Sequence, residues 1–307
     1  MCPASKPSDP DYFEEHQFMT NWYVASQEGW HLPGTKEAHD WCGLWQTRGC
    51  LNVEGHKDSA YKNKIFVKQY QRSCYRPDCK TCFKKWIGRQ SNRSTGRIDE
   101  FARRSGMRAK HILLSVSNWD YYKDYKELKK KAFEILKSIH CLGGTIIFHP
   151  FRFNKKLRIF YFAPHFHVIG FAIIIGIAET FGKYGWFIKD LGFRESTFQS
   201  LYYLLSHCGI KKGFHSVTWF GDLSYSKLKL EKEPETNICP VCNKKLVQIY
   251  YDGMHPVVPP DKIFEDFVDP FDWYEVKSIP KGELTRMERY EYSLQKELYV
   301  ANRGVKV

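Results

Sequence analysis

The chain has 307 residues, of which 43% are hydrophobic and 16% aromatic, and it carries a formal net charge of +13. This composition excludes a disordered chain, and the length is enough for one large domain or two small ones. No N-terminal stretch resembles a secretory signal, and the longest apolar run, 168–178, is about half the ~20 residues of a membrane span. We therefore expect a cytoplasmic protein without a membrane partner.

Residues 1–60 are rich in Trp and Gly and show weak periodicity, which predicts an irregular N-terminal region. The next segment, 61–110, is strongly basic: it holds fifteen Lys and Arg against three acids, and so nearly all of the excess charge. A local positive field of this size suits a polyanion such as nucleic acid. The alternative is a solvated face that only keeps the chain soluble.

The basic segment combines a cysteine knuckle with a helix. Cys74, Cys79 and Cys82 are followed by a predicted helix that ends near Arg104. In a reducing cytoplasm, closely spaced cysteines indicate a metal rather than disulfides. Four basic residues recur once per helical turn and predict a ridge that contacts the DNA backbone: Lys85, Arg89, Arg93 and Arg97.

Residues 111–225 contain predicted strands and predicted helices in alternation. Strands are predicted at 111–117, 145–153, 160–171, 186–193 and 217–220, with helices at 126–140 and 196–207. Gly143 and Gly144 are predicted to stop the first of these helices. The order and the short connections predict an α+β fold with one antiparallel sheet and helices on one face.

Three histidines in this sheet form a candidate metal site. His165 and His167 are two residues apart on one strand and therefore project from the same side. His149 lies on the preceding strand and can reach the same face if the two strands form a hairpin. Imidazole donors suit Mn²⁺ better than Mg²⁺, although either is a candidate catalytic ion.

The helix at 196–207 separates two neighbouring tyrosines by phase. Tyr202 belongs to an apolar stripe and is predicted to be structural, whereas Tyr203 shares a more polar face with His207. A tyrosine is a weak nucleophile at neutral pH unless a base or a metal assists it. His207, one turn along, is a candidate for that assistance.

Three pieces of the chain, in order, resemble a known family. They are Ile112–Ser117, Pro164–Gly170 with its His-hydrophobic-His pattern, and Tyr203–His207. Together they resemble the HUH endonucleases, and within them the rolling-circle replication initiators of archaeal plasmids and viruses. Many bacterial initiators have a lysine three residues after the tyrosine; here that residue is Ser206.

The resemblance implies a ferredoxin-like or RRM-like domain over 111–225 that nicks and rejoins single-stranded DNA. It implies that Tyr203 attacks phosphorus and leaves a 5′-phosphotyrosine with a free 3′-hydroxyl. The expected partners are single-stranded DNA at a replication origin, which can include a hairpin, and the helicase and polymerase of the host.

The last region, 226–307, contains a second knuckle and a C-terminal extension. Cys239–Cys242 has the spacing that directs two thiolates at one ion. Our first choice is a single structural Zn²⁺ site of Cys79, Cys82, Cys239 and Cys242. The rival is a local site of Cys74, Cys79 and Cys82 completed by Cys50 or His56. Within the extension, 264–269 is acidic and aromatic, and 283–302 is predicted to be helical.

Two other functions remain open at this point. A relaxase or a single-tyrosine transposase would use the same chemistry. A zinc-stabilised nucleic-acid-binding protein without catalytic activity would keep the fold and the charge, but it would need no nucleophile.

Overall fold

The computed structural model describes residues 29–154, 156–231, 236–254, 257–258 and 260–276. The described residues form two units. The first contains residues up to 44 and those from 72 to 231, and the second contains 45–71 and those from 236 onward. The four-part division expected from the sequence stays a prediction.

The described residues form four α-helices and ten strands, numbered here in chain order. The helices are α1 (Phe83–Ser105), α2 (Tyr125–Ser138), α3 (Ile177–Tyr184) and α4 (Thr197–Ser206). The strands are β1 (Trp45–Cys50), β2 (Ile65–Gln71), β3 (Lys110–Ser115), β4 (Cys141–Asn154), β5 (Ile159–Ala172), β6 (Phe187–Phe193), β7 (Thr218–Gly221), β8 (Val247–Tyr251), β9 (Phe264–Val268) and β10 (Trp273–Glu275). No described helix has both the length and the apolar character that crossing a bilayer requires.

The sheet of the first unit is antiparallel, with strand order β6-β3-β5-β4-β7. The predicted α+β class with an antiparallel sheet is therefore confirmed. The predicted helix over 126–140 ends at Ser138 instead, and Gly143 and Gly144 belong to β4. Gly144 is there for packing, because a Cβ on it would lie 2.5 Å from the Ile169 carbonyl oxygen of β5.

Helices cover both faces of this sheet, where the sequence predicted one. Ile112 and Phe166 pack with α2 on one face, whereas Ile147 and Ile169 pack with α1 and α4 on the other. Alternate residues on both sides of the central strands are large and apolar, so each face needs its own cover. The face under α1 and α4 is the one that carries the histidines, because residues 147 and 149 share a side of β4.

One buried carboxylate anchors the cover of the first face. Asp120 lies in the short 3₁₀ helix after β3 and is 5% exposed. It accepts hydrogen bonds from Lys131 and from the Trp186 indole, each at 2.6 Å, and it pairs with Lys123. Burial alone would raise the pKa of this carboxyl, but these three partners lower it to about 2.

The second unit is a five-stranded antiparallel sheet, with strand order β10-β8-β1-β2-β9. Its core includes Ile65, Val67 and Ile249. Strand β1 lies inside the segment predicted to be irregular, and the acidic aromatic segment forms β9. The helix predicted at 283–302 lies outside the described residues.

Candidate metal and nucleophile site

Three histidines come together on β4 and β5. His149 pairs directly with His165 across the two strands, and His167 follows two residues along β5. Each ring offers one nitrogen such that the three atoms all lie within 4.8 Å of one another. The hairpin on which the sequence prediction depended is present. The arrangement is one that could hold a metal ion.

His149 gives the sharpest sign of a missing partner. Its side chain is 0% exposed, and neither ring nitrogen hydrogen-bonds to any residue that the structure describes. A buried polar atom without a partner costs about 1–3 kcal/mol. A metal ion coordinated by one nitrogen would remove part of this cost, so the residues present fit a bound cation.

The other two candidate ligands are already oriented by hydrogen bonds. His165 Nδ1 lies 2.8 Å from the Ala163 carbonyl oxygen, which can only accept, so Nδ1 carries the proton and Nε2 the lone pair. His167 Nδ1 lies 2.7 Å from His111 Nε2, and when Nδ1 is the donor of this pair the lone pair of His167 is on Nε2. Such outer partners are typical of metal-ligating histidines. Sequence reasoning missed His111, although period-two alternation on β3 places it on the histidine face.

Burial keeps these imidazoles neutral. It lowers the pKa of His165 and of His111 to about 4, and that of His149 and His167 well below 6.5. The neighbouring rings lower the pKa of His149 and His167 further. Only a neutral imidazole can coordinate a metal, so the site is ready for a cation throughout the neutral pH range.

A β-bulge at Pro150 brings a positively charged side chain to the histidine side of the sheet. The register between β4 and β5 shifts between His149 and Phe151, and Phe151 rejoins the opposite core face. The phase change puts Arg152 on the histidine side, where it donates to Ser115 Oγ at 2.7 Å. Simple alternation would place Arg152 on the other face. The only hint in the sequence is a proline within a strand, which is typical of bulges.

Helix α4 packs one of its two neighbouring tyrosines against the core and leaves the other more exposed. Its N-cap, Ser196, accepts a hydrogen bond from the Gln199 amide, which fixes the start of the helix. Tyr202 packs against the core under α4, and burial raises the pKa of its phenol. Tyr203 is 37% exposed, and its ring lies 4.7 Å from the His207 ring. The His207 ring lies 4.5 Å from that of His149.

The cysteines form two clusters rather than one. Cys79 and Cys82 meet Cys42 and Cys74 in the first unit, whereas Cys239 and Cys242 meet Cys50 and His56 in the second. The four-cysteine set preferred from the sequence is therefore not brought together. The rival prediction is correct in joining Cys74 to Cys79 and Cys82. The fourth member of that cluster is Cys42, however, and not Cys50 or His56. Either cluster could hold a metal ion such as zinc.

The predicted basic ridge on α1 is shorter than expected. Lys85, Arg89 and Arg93 are exposed, whereas Arg97 is 4% exposed. Its guanidinium donates to three backbone carbonyls, those of Leu223, Ser224 and Leu228. Arg97 falls on the buried side because it lies next to Ile98, one turn beyond the buried Ser94. It fixes the chain after β7 and is not presented to a ligand.

No protein-family model matches the chain, and no curated protein or solved structure matches it either. Its function therefore has to be inferred from the chemistry of these residues.

Proposed function

We propose that this chain nicks and rejoins single-stranded DNA by transesterification at Tyr203, as the initiator of rolling-circle replication of a plasmid or virus. The observation that supports this most is a continuous line of ring contacts from Tyr203 through His207 to His149. The Tyr203 phenol, which can attack phosphorus, is thus separated only by the His207 ring from His149, one of three imidazoles that can hold a divalent cation.

The proposed reaction exchanges one phosphodiester for another. The Tyr203 oxygen forms a bond to phosphorus while the bond from phosphorus to the 3′-oxygen breaks. The phenolic proton passes to a base, and the departing 3′-oxygen takes up a proton. The products are a 5′-phosphotyrosine and a free 3′-hydroxyl that can prime synthesis. The reverse attack by a 3′-hydroxyl rejoins the strand without nucleotide hydrolysis.

His207 is the base that the geometry favours. The Ser206 hydroxyl donates to the Tyr203 carbonyl oxygen at 2.7 Å, so its single proton is used there. The 3.2 Å contact between Ser206 Oγ and His207 Nδ1 then requires the ring nitrogen to donate. His207 Nε2 consequently carries the lone pair that can accept the phenolic proton.

The proposed cofactors follow from the donor types. A divalent cation held by His149, His165 and His167 would supply Lewis acidity that offsets negative charge on the attacked phosphate. Mn²⁺ fits three imidazoles better than Mg²⁺ does. Arg152 adds a fixed positive charge on the same side of the sheet. Zn²⁺ is proposed as a structural ion of the cysteine clusters, apart from this chemistry.

The proposed partner is single-stranded DNA at a replication origin. The exposed cations Lys85, Arg89 and Arg93 would hold its phosphate backbone. A helicase and a polymerase of the host would then extend the 3′-hydroxyl that the cut provides.

The experiment is a covalent-adduct assay. The protein is incubated with Mn²⁺ and labelled single-stranded origin DNA, and the products are separated under denaturing conditions. We expect a labelled protein band for the wild type and for Tyr202→Phe, and none for Tyr203→Phe. Peptide mapping of the band should place the nucleotide on Tyr203.

The control variant removes a neighbouring hydroxyl from the same helix, so a difference between the two tyrosines cannot come from altered folding alone. An adduct that survives Tyr203→Phe would overturn the assignment. A chain that binds DNA but forms no adduct under varied metals and substrates would instead be a non-catalytic nucleic-acid-binding protein. The position of the cut in an origin or a transposon end would separate an initiator from a relaxase or transposase.

A further inference from the structure

Four cysteines of the first unit converge on one point. The sulfur atoms of Cys42, Cys74, Cys79 and Cys82 all lie within 4.8 Å of one another, and Cys79 Sγ is 3.9 Å from Cys42 Sγ. The amides of Cys82 and Phe83 both donate to the Cys79 carbonyl oxygen, at 3.1 and 3.0 Å. This tight turn directs two thiols to the same side at the start of α1.

A second group of four donors converges in the second unit. His56 is 0% exposed, and its Nε2 lies 3.2 Å from Cys239 Sγ. Its Nδ1 lies 2.8 Å from the Lys64 carbonyl oxygen, which can only accept, so the lone pair is on Nε2. Cys50 Sγ lies 3.5 Å from Cys242 Sγ, which closes the group.

The turn between Cys239 and Cys242 has the backbone of a metal knuckle. The amide of Asn243 donates to the Cys239 carbonyl oxygen at 3.0 Å, and the amide of Cys239 donates to the Lys244 carbonyl oxygen at 2.7 Å. Asn243 adopts a left-handed conformation with φ of 56°, which asparagine tolerates better than most residues. This turn is formed by the backbone and directs both thiols to one side.

We infer that the chain binds two zinc ions in closed four-donor sites, one held by Cys42, Cys74, Cys79 and Cys82, the other by Cys50, His56, Cys239 and Cys242. Four thiolates, or three with one imidazole, are donor sets of structural zinc and leave no open position for a substrate. A disulfide would use only two of the four donors in each group and would leave the oriented imidazole of His56 without a role.

Each ion would join segments that are far apart in the chain. The first connects Cys42 to the knuckle that begins α1, across the segment 45–71 that belongs to the second unit. The second connects that same segment to residues after 236. Donors from distant segments do not form a site in the unfolded chain, so metal binding and folding are coupled.

The test is zinc stoichiometry on the full chain, purified under reducing conditions and dialysed against a chelator to clear weakly held metal. Zinc released by a thiol-specific mercurial counts only ions that thiolates hold. We expect two equivalents for the wild type and one each for Cys74→Ser and Cys242→Ser. The matched control, Cys141→Ser, alters a cysteine outside both groups and should keep two.

X-ray absorption of the wild-type zinc tests the same inference without any variant. The two sites together predict seven sulfur ligands and one nitrogen ligand. A single zinc that is lost equally in Cys79→Ser and Cys239→Ser would overturn the inference in favour of one shared site. Thiols that the mercurial titrates without releasing zinc would overturn it altogether. Neither result depends on whether the protein nicks DNA.

Discussion

Replacing His149 with leucine separates the two roles that this residue can have. If His149 is a metal ligand, the metal-free protein carries a fully buried imidazole with two unpartnered nitrogens. Each such atom costs about 1–3 kcal/mol, and leucine removes both while keeping an apolar side chain of similar size in the site. We therefore expect His149→Leu to be more stable than the wild type without metal, by about 2–6 kcal/mol for the two atoms together.

Adding Mn²⁺ should reverse this order. A ligand at one hundred times its dissociation constant stabilises the folded state by about 2.7 kcal/mol. The wild type should gain that amount, whereas His149→Leu, with two imidazoles left, should gain little. The assay is urea denaturation followed by circular dichroism, after dialysis without a chelator so that thiolate-held zinc stays in place. His215→Leu, which changes an exposed histidine outside the cluster, is the control and should respond to Mn²⁺ like the wild type.

A packing role for His149 predicts the opposite result. A core histidine whose nitrogens were hydrogen-bonded would instead leave those partners unpaired when leucine replaces it, at a cost of about 1–3 kcal/mol. If His149→Leu is destabilised by this amount without metal, and Mn²⁺ leaves the wild-type midpoint unchanged, His149 is a packing residue and the candidate metal site does not exist.

Three further predictions concern charged side chains outside the candidate metal site. Burial would raise the pKa of Asp120, but hydrogen bonds from two lysines and Trp186 lower it to about 2 from an ordinary 3.8. This shift corresponds to about 2 kcal/mol of folding stability above pH 4. That stability is lost as the pH falls toward 2. Urea denaturation of Asp120→Asn should show that difference from the wild type at pH 7 and a smaller one at pH 3; a difference independent of pH would contradict the ion-pair account. Arg93→Gln should reduce the salt slope of single-stranded DNA binding by about 0.7. If fluorescence anisotropy shows that Arg93→Gln leaves the salt slope of DNA binding unchanged, α1 does not belong to the DNA-binding surface. Arg97→Gln should instead cost roughly 3 kcal/mol of stability, because three carbonyls lose a charged donor.

Local periodicity explains why much of the sheet and its histidines could be predicted. Period two on β5 places His165 and His167 on one side, whatever the rest of the chain does. Helical phase separates Tyr202 from Tyr203 in the same way, and the structure buries one more than the other. These are properties of short segments, so the sequence contains them in full.

The remaining features depend on contacts between distant segments. Cys42 and His56 carry no local spacing signal, so the sequence showed two knuckles but not which donors complete each one. Arg97 has the same helical spacing as the three exposed cations before it. It is buried where the chain after β7 returns to α1 and presents three carbonyl oxygens to its guanidinium.

The candidate site itself is a consequence of register between β4 and β5. A slip of one residue would move His149 to the opposite face, away from His165 and His167. Two glycines oppose such a slip: a Cβ on Gly144 would lie 2.5 Å from the Ile169 carbonyl oxygen, and one on Gly170 would lie 2.5 Å from that of Gly143. In the observed register Gly144 lies opposite Gly170, and the two backbones approach closely there. The glycines thus permit the close strand pairing in which the three imidazoles meet.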